Sequence, residues 1–179
     1  MPLYLCEVAL APLHLPDTER LLEEIGSAVR RSGAAEVVEF QVTSNRSQLY
    51  VIVEAVDATD VAEPLKKVLP VDAVVRGPDP VRLVGAELAE VKAARSAAGY
   101  LVEWDLPAEL GMQEYLARKK EKAPRYADVP DVSFLRTYVR EDMEKCLCLY
   151  DAPDEDLVRK AREAVDSPVD RLHALREQS

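Results

Sequence analysis

Tyr100-Leu101-Val102-Glu103-Trp104-Asp105-Leu106 repeats the way the chain begins. Tyr4-Leu5-Cys6-Glu7-Val8-Ala9-Leu10 lies 96 residues earlier, with Tyr, Leu, Glu and the final Leu in the same places. Self-similarity at this separation divides the 179 residues into two copies of one small unit, each opening with this stretch. Alternation marks the stretch as a strand: Tyr4, Cys6, Val8 and Leu10 point to one side, Leu5, Glu7 and Ala9 to the other. In the second copy Tyr100, Val102, Trp104 and Leu106 make the more apolar side. Glu103 and Asp105 are left on the other.

Outward from the first strand, Pro12 and Pro16 bracket a loop carrying His14. Asp17 is a plausible helix N-cap, Leu21, Leu22, Ile25, Ala28 and Val29 fall on one helical stripe, and Gly33 supplies the stop. Strands follow at Glu36 to Thr43 and Leu49 to Glu54, then a helix from Ala58 to Leu69 interrupted by Pro64. A last strand is contested between Ala73 to Arg76 and Val81 to Val84, across Gly77-Pro78-Asp79-Pro80. The Ala- and Glu-rich stretch Ala86 to Ala98 reads as a linker helix. After Gly99 the order returns: strand Tyr100 to Leu106, helix Met112 to Lys122, strand Val132 to Val139, and strand Lys145 to Asp151. A helix beginning near Pro153 with Leu157, Val158, Ala161 and Val165 inward, and a strand from Asp170 to Leu175, complete the copy.

The expected fold class is therefore α+β: two tandem ferredoxin-like βαββαβ units with antiparallel sheets, a pseudo-dimeric α/β sandwich or barrel. The boundaries read as 1–85, a linker helix at 86–98, and 99–179. Both helices of such a unit cover one face of its sheet, and function is expected on the other. The apolar sides belong against the helices, so Glu7 and Glu103 stand on the helix-free faces of inner strands. Should the two sheets pack by those faces, both carboxylates enter one enclosed space. A buried carboxylate has to be paired, protonated or neutralised by a cation. Arg136, read as sharing a side of its strand with Phe134 and Tyr138, is the expected partner. Glu7, Glu103, Arg136 and Tyr138 form the expected ligand site. Cys146, Cys148 and His173 are candidate metal ligands, although one Cys pair is half of an ordinary zinc set and buried cysteines commonly serve as small core residues.

The formal net charge of -10 disfavours nucleic acid and anionic membrane surfaces as partners. The basic run Arg118-Lys119-Lys120-Glu121-Lys122, with Arg125, reads as a solvated helix face rather than an anion site, since no aromatics interleave it. Three cysteines in strand patterns imply reduced thiols, and the absence of a signal-peptide pattern implies a cytoplasmic location. No Gly-rich phosphate loop, GxSxG elbow or HExxH motif is present.

Tyr100-Leu101-Val102-Glu103 with Leu106-Pro107, Phe134-Leu135-Arg136-Thr137-Tyr138-Val139, Cys148-Leu149-Tyr150-Asp151-Ala152-Pro153-Asp154-Glu155 and Pro168-Val169-Asp170-Arg171 resemble a family of small ferredoxin-like proteins of unassigned function, some described as nickel-binding. The first copy keeps only the opening strand and Val53-Glu54-Ala55. The resemblance implies the fold, a divalent transition metal (nickel) as cofactor, and single units pairing as homodimers, of which this chain looks like a fused version. Where a histidine is expected on the second strand, this chain has Arg136, and the first copy has Glu39 or Phe40. A fixed positive charge there repels a metal and attracts a carboxylate or phosphate.

Three functions follow as expectations. The first is noncatalytic binding of a small ligand or metal ion in the cleft between the halves. The second is an enzyme of the dimeric α/β-barrel type (isomerase, cyclase or cofactor-independent oxygenase) with Glu103 or Glu7 as base. The third is a protein-interaction module. A further homodimer of the whole chain is also open.

Overall fold

The computed structural model describes residues 1–12, 17–94 and 98–177. The His14 loop and the last part of the expected linker helix, 95–97, lie outside the described residues. The chain folds into two compact units, each discontinuous in sequence. The first is Met1–Val81 with Leu88–Arg95, the second Arg82–Glu87 with Ser96–Ser179.

The first unit runs β1 (Leu3–Ala9), α1 (Thr18–Ser32), β2 (Ala35–Val42), β3 (Gln48–Ala55), α2 (Ala58–Val68) and β4 (Val74–Val84), with α3 (Leu88–Ala94) added. Its strands lie in the order β2-β3-β1-β4, all the described pairs being antiparallel. Tyr4, Cys6, Val8, Val51 and Val53 pack against Leu21, Ile25 and Val29 of α1 and Val61 and Leu65 of α2. Helix α1 ends where expected, at Gly33 with φ 72°. Asp17, expected to cap it, makes no side-chain capping bond, whereas Asp57 begins α2 with a reciprocal capping box to Asp60. Helix α3 is tied to this unit: Val91 is buried and Lys92 bridges Glu36 on β2 and Glu54 on β3.

The contested strand is one strand. β4 runs unbroken through the Gly-Pro-Asp-Pro stretch, and its register against β1 slips between Leu5 and Glu7. Gly77 makes this possible. With φ +93° and the Leu5 carbonyl oxygen well inside contact distance of where a Cβ would stand, no other residue fits the slip without strain.

The second unit runs β5 (Tyr100–Asp105), α4 (Met112–Lys122), a 3-10 helix (Ala123–Asp128), β6 (Ser133–Arg140), β7 (Lys145–Asp151), α5 (Glu155–Ala164) and β8 (Arg171–Ala174). Its order, β6-β7-β5-β8, is that of the first unit. Val102, Trp104, Val139, Cys146, Cys148 and Tyr150 pack against Tyr115 of α4 and Val158 and Ala161 of α5, which is the face assigned from alternation. Of the segment Arg82–Glu87, Arg82 pairs with Glu141 through Nε (3.1 Å) and Nη2 (3.2 Å), and Gly85 lies against the Phe134 ring.

The duplication extends to an irregularity. The β2–β3 register slips between Val37 and Glu39, and the β6–β7 register slips between Phe134 and Arg136. Val38 and Leu135 are thus the extra residues of two equivalent bulges. One consequence corrects the sequence reading: the bulge turns Phe134 to the helix side, where it stacks on Tyr126, and leaves Arg136 and Tyr138 on the other face. It also places Glu39, not Phe40, at the position equivalent to Arg136.

The helix-free faces are not bare. Leu5 and Ile52 in the first unit, and Leu101, Leu147 and Leu149 in the second, are buried.

Candidate functional site

Glu103 stands at the centre of the second unit's helix-free face, on inner strand β5, and is 4 % exposed. Its cross-strand neighbours are Leu147 on β7 and Arg171 on β8, and Tyr138 lies beyond Leu147 on β6. Both carboxylate oxygens are occupied. Lys145 Nζ donates to Oε1 at 2.7 Å, Arg171 Nε donates to Oε2 at 2.9 Å, and His173 Nε2 lies 2.9 Å from Oε2. The Arg171 guanidinium also forks onto both oxygens of Asp105. Asp170 fixes the corner, accepting from the Asp105 N–H at 2.6 Å and donating its own N–H to the Glu103 carbonyl at 3.0 Å.

Burial pushes the Glu103 carboxyl up, but His173, Lys145 and Arg171 together outweigh it and hold the group well below the usual carboxylate range. Asp105 is lowered too, first by its hydrogen bonds from Arg171. The cluster opens outward: the Glu103 side chain is 5 % exposed, that of His173 28 % and that of Arg171 42 %.

The residues expected to act together are sorted by this geometry. Arg136 sits two strands from β5, in the row Arg136, Leu149, Leu101, His173. At about 4.8 Å per strand it stands roughly 10 Å off β5, so Glu103 takes other partners within the unit. Tyr138 is in the Glu103 row with Leu147 between them. Glu7 is equally buried on β1, opposite Tyr50 and Arg76, which repeats the pairing of Glu103 with Arg171.

Cys146 and Cys148 face the helices, while His173 is on the opposite side of the sheet with Glu103, so these three candidate metal ligands are not brought together. Cys148 instead accepts from the Thr137 hydroxyl at 3.2 Å and Arg162 Nη1 at 3.3 Å, with Cys146 Sγ 3.9 Å away. The neighbouring Cys146 thiol and the cations pull Cys148 well down, and burial drives Cys146 up. Among the described residues no group of three His, Cys, Asp or Glu side chains is placed to hold a metal ion.

Alternation puts Glu103 and Asp105 on this face; His173 is expected from the sequence only as a metal-ligand candidate on the final strand, not beside Glu103. Alternation missed Lys145 and Arg171, which lie 42 and 68 residues from Glu103. The signal was present: Lys145 shares parity with Leu147, and Arg171 with His173. In a ferredoxin-like order β7 and β8 both flank β5.

A doubled βαββαβ chain with a saturated buried carboxylate defines the class as a tandem ferredoxin-like α+β protein. Residues 100–175 match the family described as nickel responsive protein SCO4226-like, the family resembled by the quoted motifs. No curated protein matches the chain. Among solved structures it is similar to a proposed chlorite dismutase (TM-score 0.55, 10% identity, 98% of this chain and 96% of that one). It is also similar to a proposed monooxygenase of Lactobacillus acidophilus (TM-score 0.51, 11% identity, 98% and 93%). A third, a proposed monooxygenase of Fusobacterium nucleatum, has TM-score 0.51 at 10% identity over 98% and 91%. At such identities the likeness concerns the fold alone.

Nickel does not fit the Glu103 cluster. Lys145 and Arg171 already stand on its oxygens, so a divalent cation would have to displace a buried ammonium or the Nε–H of an arginine that Asp105 also holds.

Proposed function

We propose that the chain is a binding protein that performs no chemistry. Its ligand is a small polar molecule bearing an acidic group, taken up at the rim of the second unit's helix-free face around Arg171 and His173. The saturation of Glu103 carries this reading. A carboxylate held by three donors is a weak proton acceptor, which argues against Glu103 as a general base. It is an equally weak metal ligand. What it does well is fix donors: Lys145, Arg171 and His173 are oriented by one buried anchor, and two of them reach solvent. Glu103 and Asp105 take three of the five N–H donors of Arg171, and the remaining two, together with His173, are what a ligand carboxylate would meet.

Thermal denaturation of the full chain against nickel(II) and a panel of small organic acids tests this. One of the acids is expected to raise the midpoint, with the rise lost in Arg171→Gln, and nickel is expected to give none. A nickel-dependent rise that persists in Arg171→Gln and vanishes in His173→Ala overturns the reading.

The contact of His173 Nε2 with Glu103 favours a second reading. A carboxylate accepting from Nε2–H fixes the ring and leaves Nδ1 as the acceptor, the arrangement of a histidine base. An α/β-barrel enzyme using His173 would turn over the acid it binds, and His173→Gln would stop turnover while binding remained.

A further inference from the structure

The helix side of the second unit holds a different cluster. Trp104 of β5, Arg118, Lys119 and Lys122 of α4, and Arg162 and Ser167 at the end of α5 line a half-open cavity of about 330 Å³ including its mouth. About 20 Å³ of this leaves a water-sized sphere free to move, space for a water or one oxygen of a larger ion.

Four cations converge here. Arg162 is 2 % exposed, and its contacts are Cys148 Sγ, Tyr150 Oη (3.2 Å), the Pro168 carbonyl (2.6 Å) and the Trp104 ring. None is a carboxylate. Its Nε, like that of Arg118, is buried with no hydrogen-bond partner among the described residues. Arg118 also lies over the Trp104 ring, its guanidinium carbon 5.7 Å from the ring centre, and Lys119 lies 4.6 Å from the Phe134 ring centre. Among the described residues, exposed Asp166 answers them, pairing with Lys122 at 2.8 Å and approaching Arg118 at 3.9 Å. Four positive charges facing Asp166 and, on the inner side, the Cys148 sulfur, whose thiol Cys146, Lys119 and Arg162 pull well down, still make a local excess. At physiological ionic strength charges beyond about 8 Å are largely screened, so the chain's overall acidity does not cancel it.

We propose that this cavity binds a small oxyanion of the phosphate or sulfate type at its mouth. One oxygen reaches the inner space beside Arg162, and the others meet Arg118, Lys119 and Lys122. Guanidinium forks match oxyanion geometry, and a buried arginine lacking a carboxylate gains most from such a partner. The basic run on α4 is thereby a lining and not only a solvated face. The aromatic surface missing from its own sequence comes from β5. This site is independent of the one around Glu103, which lies on the opposite face of the sheet.

Trp104 is the only tryptophan of the chain, so its emission reports on this cavity. The full chain is titrated with sodium sulfate and with phosphate at ionic strength held constant by sodium chloride. Both are expected to give a saturable change in emission. Lys122→Gln combined with Arg118→Gln weakens the midpoint at least tenfold. Asp166→Asn, which removes the competing carboxylate at a left-handed position (φ 53°) that asparagine tolerates, tightens it several-fold. A sulfate response no different from that of chloride overturns the proposal. So does a midpoint unmoved in both variants.

Discussion

Glu103 shows how one side chain is kept ionised inside a sheet. Its desolvation is offset by Lys145, Arg171 and His173, so removing the charge does not simply relieve a penalty. Glu103→Gln removes the carboxylate to which Lys145, itself mostly buried, donates at 2.7 Å. Breaking a buried pair from one side costs about 3–5 kcal/mol, which urea denaturation measures directly, and Lys145→Met in the same background should return part of the loss. The pH dependence has a definite sign. Because folding lowers the Glu103 carboxyl, its contribution is complete above the ordinary value of 4.5 and drains away as the pH falls below it. Glu103→Gln should flatten that acid limb, read from midpoints measured at falling pH. Among the thiols, Cys6 and Cys146 are shifted in the opposite sense. Burial, then Asp79 and Glu7, push Cys6 up to about 12, and all three cysteines are buried. A thiol reagent near about pH 8 is expected to modify none in the native chain and all in denaturant.

Among the elements, the helices were the easiest to read. A 3.6-residue stripe is a local signal that α1, α2 and α5 follow, with a left-handed glycine ending α1 and an acidic cap on α2 and α5, though Asp17 makes no capping bond on α1. The capping box of α2 predicts that Asp57→Ala costs about 1 kcal/mol in urea denaturation and Asp57→Asn much less. Strand β4 was not legible, because two prolines and a glycine normally end a strand. Here the glycine creates the slip that lets β4 stay paired. Gly77→Ala meets both a positive φ and the Leu5 carbonyl, so a loss of at least about 1–3 kcal/mol is expected from the same measurement. The bulge at Leu135 was invisible for another reason. Alternation assumes a period of two, and one extra residue reversed the reading of Phe134 without leaving a local mark. Lys145 and Arg171 escaped for want of register: parity says which face they take, but only strand pairing says they meet at Glu103.

At the scale of the whole molecule, the opening repeat revealed the doubled architecture, because two copies of a first strand imply two copies of the unit it begins. The alternation of the chain between its units was hidden, since 82–87 and 88–95 carry no compositional break that assigns them to opposite units. A fragment beginning at residue 99 lacks Arg82 and Gly85, which contact Glu141 and Phe134. It should therefore melt below a fragment beginning at residue 82, as circular dichroism would show. Lys92 has the reciprocal role, since its bridge to Glu36 and Glu54 is lost from any first half that stops at residue 85.

No single scission of this polypeptide therefore separates the two units cleanly. Wherever the cut falls between residues 82 and 95, one product keeps a strip that belongs to the other, and the orphaned half must recover it as a separate peptide or do without. The joint is passed back and forth, so neither unit simply ends where the other begins.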